Sequence, residues 1–312
     1  MPYINIIFLV VGLVAMIKGS DIFVDGSAGI AKNLKVPPVV IGLTIMAFGT
    51  SAPEAVIGIS SAISGTGELS VANAIGSNIF NLIFIIGACA LVKPMHVIFS
   101  TIATDFWVTL SGPILLLVSA ITFRSQIPRF IFLLMLTFFL IYVYLITNKA
   151  LRYPTSDVDD STSYTIKRNL MYTILGLVFI IGGGEITVRN AVSIATSIGV
   201  SARIVGLTIL SVGTSLPELI ISFTASKKGE NGLALGNIIG SSSFNIFFVL
   251  GISGLISPFV LTTPEMLDLA ILTALSIVFL IFVLTRKKID RFEGLTLVIL
   301  YLAYMMYLTF FS

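Results

Sequence analysis

Two short stretches concentrate polar chemistry inside apolar surroundings: GLTIMAFGTSAPE, residues 42–54, and GLTILSVGTSLPE, residues 206–218. Both end in Gly-Thr-Ser-x-Pro-Glu. Pro53 and Pro217 lack an N–H, and each ring presses on the carbonyl four residues earlier, so a helix should kink there. Carbonyls around Ala47–Gly49 are then expected to lose or weaken their intrahelical bonds. In hydrocarbon such groups are costly unless something satisfies them, and a bound cation does so. Thr50 and Ser51 stand one turn before Glu54, and Thr50 shares a face with Glu54 at i, i+4. Ser77 and Asn81 repeat that spacing within NAIGSNIFN, residues 73–81, which returns as NIIGSSSFN, residues 237–245. Each half thus offers a carboxylate, hydroxyls, an amide oxygen and freed carbonyls. These hard oxygen ligands, without sulfur or imidazole, suit Ca²⁺ and Na⁺ and not zinc or copper. Glu54 and Glu218, brought together, carry a charge of −2, which one divalent cation balances. Two close carboxylates in a low dielectric repel, so the site should always hold cations or protons.

Such residues must be positioned by membrane-spanning helices. The 312 residues are 56% hydrophobic and only 11% charged, whereas soluble domains carry about 25% charged residues. This composition indicates an all-α polytopic membrane protein whose environment is the lipid bilayer. Ten segments are apolar enough over the required length: 4–31, 36–63, 70–92, 103–122, 127–147, 169–197, 204–226, 233–256, 266–285 and 293–311. The first and sixth turn amphipathic part way, and so are either long and tilted or end in interfacial stretches. The N-terminus lacks a basic leader region and reads as a retained first helix. Of the 18 Lys and Arg residues, 14 fall on the side of the 149–168 loop, which is therefore expected to be cytoplasmic, with both termini outside.

An offset of 164 residues aligns the two halves, pairing Thr50 with Thr214, Ser51 with Ser215, Pro53 with Pro217 and Glu54 with Glu218. Residues 1–148 form one five-helix repeat, 149–168 a cytoplasmic linker and 169–312 the second repeat. An odd number of spans per repeat means that the second inserts upside down. Inverted repeats recur in secondary transporters, with the site near the midplane. Asp157, Asp159 and Asp160 in the linker have neither the Gly nor the final Glu of an EF-hand loop and read as solvated. The single cysteine, Cys89, excludes an intramolecular disulfide, and the single histidine, His96, lies in a helix-end context. No HExxH motif is present, nor a serine placed for a Ser–His dyad, so no enzyme is expected. A channel is disfavoured too, because nothing resembles a selectivity filter.

GTSAPE with GSNIFN, and GTSLPE with GSSSFN, resemble the two alpha repeats of the sodium/calcium exchanger family, here spanning 42–82 and 206–246. The resemblance covers nearly the whole chain. It implies a ten-helix inverted-repeat antiporter that moves Ca²⁺ against several Na⁺, and it implies no cofactor beyond these transported ions. By motif position, Glu54 and Glu218 would be the carboxylate ligands, and the hydroxyls of Thr50, Ser51, Thr214 and Ser215 would line the ion sites. Ser77 and Ser241 would add oxygens, the carbonyls of Ala47 and Ser211 would face Na⁺, and Asn81 and Asn245 would complete the centre. Several members carry Asp at one of the last two positions. Asn at both is similar to some prokaryotic members, which implies a prokaryotic inner membrane as the location. A Ca²⁺/H⁺ exchanger of the same fold is the alternative, although GTSxPE favours the Na⁺ branch. Neither nucleic acid nor an obligatory protein partner is implied.

Overall fold

The computed structural model describes residues 2–97, 99–152, 164–198, 211–286 and 288–311. In chain order the helices are α1 (Pro2–Leu34), α2 (Pro38–Thr50), α3 (Ala52–Ile63), α4 (Gly67–Val92), α5 (Phe99–Thr122) and α6 (Arg129–Arg152). There follow α7 (Ile166–Ser197), α8 (Ser211–Thr214), α9 (Leu216–Lys228), α10 (Asn231–Ile256), α11 (Thr263–Arg286) and α12 (Arg291–Phe311). Helices dominate because a chain in hydrocarbon must satisfy its backbone polar groups internally.

Eight of these helices are long and apolar enough to cross a bilayer, and α2 with α3 makes a ninth as a pair bent by 50°. The expected second span is therefore two helices rather than one kinked one. The expected seventh span, 204–226, is described only from residue 211, so residues 206–210 of the second motif lie outside the described residues. So do Asp157, Asp159 and Asp160. The segments read as linker ends are helical: α6 runs on through Lys149 and Arg152, and α7 begins at Ile166. Basic residues in a last helical turn complement the negative end of the helix dipole. α1 and α7 continue unbroken through their amphipathic second halves, for 33 and 32 residues. One small departure from all-helix is a two-residue antiparallel ladder, β1 (Met95–His96) against β2 (Lys288–Ile289).

The element bounds repeat along the chain. α4 and α10, and likewise α5 and α11, begin and end 164 residues apart. The same offset relates two π-helical turns, Phe80–Ile85 inside α4 and Phe244–Val249 inside α10. A third π turn, Gly42–Met46, interrupts α2.

α4 and α10 form the core, with 72% and 83% of their apolar spans buried, against 28% for α6. The outward face of α6, from Phe130 and Leu133 to Leu145, is exposed and apolar, while Glu54, Glu218, Asn78, Asn81, Asn237 and Asn245 are fully buried. Apolar outside and polar inside is the arrangement that lipid imposes.

Two close approaches set the geometry. α1 and α7 run antiparallel, backbone against backbone. A Cβ on Gly19 would lie 2.7 Å from the Phe179 Cβ, and one on Gly176 would lie 2.6 Å from the Phe23 nitrogen. Gly12 and Gly183 meet in the same way, each within 2.7 Å of the other's carbonyl if given a Cβ. Small residues permit such contact between membrane helices. α2 meets α10 similarly: a Cβ on Gly240 would fall 2.7 Å from the Ala47 Cβ. That contact brings the polar face of α10 against Thr50. At the end of α9, Lys228 ties back to α1, with Nζ 2.7 Å from Asp25 Oδ1 and donating to the Asp21 carbonyl at 3.0 Å. Glu185 on α7 pairs instead with Arg189 of its own helix.

Candidate cation site

The bent pair ends α2 at Thr50 and starts α3 at Ala52, with Ser51 alone between them at φ −85°, ψ 9°. Pro53 has no N–H to give, and the backbone ladder resumes with Ala55 N–H to the Ser51 carbonyl at 3.1 Å. With Ser51 outside both helices, the carbonyls of Phe48, Gly49 and Thr50 receive no i+4 bond. The freed carbonyls therefore sit later than expected. Ala47 is not among them, because its carbonyl accepts the Ser51 N–H at 3.0 Å and the Thr50 hydroxyl at 3.2 Å. The proline strips its own i−4 partner, Gly49, and the bond to Ala47 precedes it. The second motif breaks alike: α8 ends at Thr214, Ser215 stands alone at φ −93°, ψ 8°, and α9 carries Pro217 and Glu218 in its first turn. Each carboxylate thus sits at the positive end of a helix dipole, and each freed carbonyl lies at a negative end.

The break redirects the hydroxyls. Thr50 and Ser51 stand one turn before Glu54 in the sequence, yet each serine reaches the carboxylate of the other motif. Ser51 Oγ donates to Glu218 Oε1 at 3.0 Å, and Ser215 Oγ donates to Glu54 Oε1 at 3.2 Å. All four residues are fully buried. Thr214, half-buried, also contacts Glu54, and Thr50 and Ser241 contact Glu218. The two carboxylates lie close enough to feel each other's charge. Thr50 Oγ1 has Ala47 O at 3.2 Å, Asn237 Oδ1 at 3.3 Å and Ser241 Oγ at 3.3 Å around it. A hydroxyl has one proton to give, so this cluster holds more oxygen lone pairs than hydrogens.

Ser77, Asn81 and Asn245 are fully buried on α4 and α10. Asn81 and Asn245 are each the second residue of a π turn, a local widening that often marks functional positions. Glu54 Oε2, Glu218 Oε2, Ser77 Oγ and both amide atoms of Asn81 and Asn245 are buried without a hydrogen-bond partner among the described residues. Each such atom costs about 1–3 kcal/mol, so their concentration in the two motifs marks a place built to hold something polar. Across the core, Asn78 Nδ2 donates to the Ser242 carbonyl at 3.0 Å, a bond between positions 164 apart. Ser211 opens α8 at the edge of the described residues.

No group of three or more His, Cys, Asp or Glu side chains gathers among the described residues. The anionic ligands on offer are two carboxylates, and the remainder are neutral oxygens. That set fits Ca²⁺ or Na⁺. A cleft of about 350 Å³ lies beside the site, between α7 and the starts of α3 and α9, lined by Pro53, Ile57, Gly184, Glu185, Thr214 and Pro217. Sequence reasoning did not single out Ser222, which is fully buried and accepts a bond from Asn237 Nδ2 at 3.0 Å. Its place in an otherwise apolar turn of α9, where the first motif has Gly58, is the signal that could have found it.

Comparison with known proteins agrees with this geometry. The model for the family described as sodium/calcium exchanger protein matches residues 4–148 and 168–310. Among curated relatives, the putative antiporter CaxA of Alkalimonas amylolytica is 37% identical over 98% of both chains. The sodium/calcium exchanger MaX1 of Methanosarcina acetivorans is 30% identical, again over 98% of both chains. Inner membrane protein YrbG of Escherichia coli is 33% identical over 80% of this chain and 79% of its own. A solved structure of the sodium-calcium exchanger NCX_Mj, soaked with Na⁺ and Ca²⁺, superposes with a TM-score of 0.86 at 29% identity, each chain covered completely. The family and the fold are those of membrane antiporters of cations, not of enzymes. The chain belongs to the sodium/calcium exchanger protein family.

Proposed function

We propose that this protein exchanges Ca²⁺ for Na⁺ across a prokaryotic cell membrane by alternating access. The reciprocal pairing of Ser51 with Glu218 and Ser215 with Glu54 carries the reading. It ties two buried carboxylates into one centre whose other atoms are neutral oxygens. A total charge of −2 is balanced by one Ca²⁺ or by Na⁺ ions that occupy overlapping oxygens. Glu54, Glu218, Thr50, Ser51, Thr214, Ser215, Ser77, Ser241, Asn81 and Asn245 supply the side-chain ligands in this reading, with main-chain oxygens from the two breaks. Crossing the membrane with both carboxylates bare is costly, so the conformational switch proceeds only with the centre neutralised, and this couples the two ions.

The chain crosses ten times as two inverted five-helix repeats, both termini outside and the 149–168 segment cytoplasmic. The 164-residue periodicity of the element bounds supports the repeat. α1 and α7, which carry no motif, are the moving pair. The cleft beside Pro53 and Thr214 is the access route on one side.

The test is uptake of radiolabelled Ca²⁺ into proteoliposomes at clamped voltage, driven in turn by Na⁺, H⁺ and K⁺ gradients. Uptake that follows the Na⁺ gradient and ignores pH is expected. Uptake that follows only the H⁺ gradient would establish proton exchange instead.

A further inference from the structure

Asn237 is fully buried on α10, and its side-chain amide joins three elements. Its Nδ2 donates to Ser222 Oγ on α9 at 3.0 Å, and its Oδ1 accepts from Thr50 Oγ1 on α2 at 3.3 Å. The amide thus presents its oxygen to the cluster of Thr50, Ala47 and Ser241, and turns its N–H donors away. A flipped amide would point hydrogens at those oxygens and repel a cation. Ser222 is the partner that occupies the donor end.

The other motif lacks this brace. At the 164-residue offset, Asn73 answers to Asn237 but Gly58 answers to Ser222. Asn73 Nδ2 is buried without a partner among the described residues. Nor is there room for a serine without a shift, since a Cβ on Gly58 would lie 2.4 Å from Val249 Cγ1, 3.0 Å from Ser70 Oγ and 3.2 Å from Ser253 Oγ. Those two serines bond each other at 3.0 Å in the space a side chain would need.

We propose that Asn237, held by Ser222, is a positioning residue that pre-organises the Thr50–Glu218 side of the site for a monovalent cation, making the two half-sites unequal. The neutral oxygens there surround a single carboxylate, Glu218, and one negative charge matches one monovalent ion. Holding Thr50 in place removes an ordering cost at the moment of binding. This side therefore binds its ion more tightly than the unbraced Asn73 side. The inference rests on the reading of the centre as a Na⁺/Ca²⁺ site.

The experiment compares wild type with Asn237→Ala, Ser222→Ala and Asn73→Ala. Each is purified, checked for its melting temperature, and titrated with Na⁺ in competition with bound radiolabelled Ca²⁺. Na⁺-driven Ca²⁺ uptake is then measured in liposomes. Loss of one neutral hydrogen bond is worth about 1 kcal/mol, so Asn237→Ala should raise the half-saturating Na⁺ concentration about fivefold. Its maximal rate at saturating Na⁺ should stay within about twofold. Ser222→Ala should shift Na⁺ in the same direction by less, and Asn73→Ala should shift it least. The half-saturating Ca²⁺ without Na⁺ should move less than the Na⁺ value in every variant. Equal shifts for Asn237→Ala and Asn73→Ala, or a lowered melting temperature with unchanged Na⁺ dependence, would overturn the inference. A wild type that shows no Na⁺-driven uptake at all would instead overturn the underlying function.

Discussion

Glu54→Gln is the sharpest perturbation of the centre. The replacement keeps the shape of the side chain and keeps an oxygen for the Ser215 hydroxyl, 3.2 Å from Oε1 in the native protein. What changes is charge, from −2 to −1. Two unit charges about 4 Å apart attract by about 4 kcal/mol at an effective dielectric of about 20. The loss scales with cation charge, so Na⁺ loses about 4 kcal/mol and Ca²⁺ about 8 kcal/mol before relaxation. At about 1.4 kcal/mol per tenfold, this is about three powers of ten for Na⁺ and six for Ca²⁺. Ca²⁺ binding is removed at any practical concentration, while Na⁺ binding is weakened by half as many decades. The assay is equilibrium binding of radiolabelled Ca²⁺ to purified protein, followed by Na⁺-driven uptake in liposomes, with thermal melting as the folding check. A folded Glu54→Gln protein that binds and exchanges Ca²⁺ normally would refute the assignment of the two glutamates as the charged ligands. A loss equal in decades for both ions would refute the electrostatic argument.

Three further expectations concern the scaffold. Pro53→Ala supplies the missing N–H to the Gly49 carbonyl and favours a continuous helix by up to about 3 kcal/mol; melting should not fall, yet uptake should drop about tenfold as Glu54 leaves the reach of Ser215. Gly19→Leu puts a side chain where a Cβ alone would be 2.7 Å from Phe179, and overpacking of about 1–3 kcal/mol should lower the melting temperature. Gly182→Ala, whose Cβ would meet nothing within 4 Å, should leave the melting temperature unchanged. Single cysteines added at residues 1 and 312 should label from outside intact cells, and buried Cys89 gives little background; labelling only after permeabilisation would reverse the proposed orientation.

Much of the site could be read from residue types, because carboxylates, prolines and hydroxyls are conspicuous in an apolar chain. Pro53 located the break to within a few residues. The partnering could not be read, since nothing local says that Ser51 will bond Glu218, 167 positions away. A serine one turn before a glutamate looks like that glutamate's partner until the break turns it aside. The π turns at Asn81 and Asn245 were equally hidden, because inserting one residue into a helical turn leaves the apolar pattern almost unchanged. The Ala47 carbonyl keeps its helical bond for a plain reason: proline removes the bond to the residue four before it, and Ala47 is six before Pro53. The apolar spans 127–147 and 169–197 stop short of the α6 end at Arg152 and the α7 start at Ile166 because hydropathy marks where lipid stops, and a helix can continue into water past that point.

The glycine contact between α1 and α7 has a mechanical consequence. Because the backbones touch at the paired glycines and side chains such as Met16 with Thr187 and Asn33 with Asn169 meet beside them, parting the helices would leave a seam with nothing to fill it. The cheaper course is for the two to travel as one stiff beam. Their reciprocal contacts, Gly12 with Gly183 and Gly19 with Gly176, pin that beam at two levels. A beam of fixed length, displaced along itself, covers at one face of the protein what it uncovers at the other. One mouth would then close because the other opens, with no separate gate needed to enforce it.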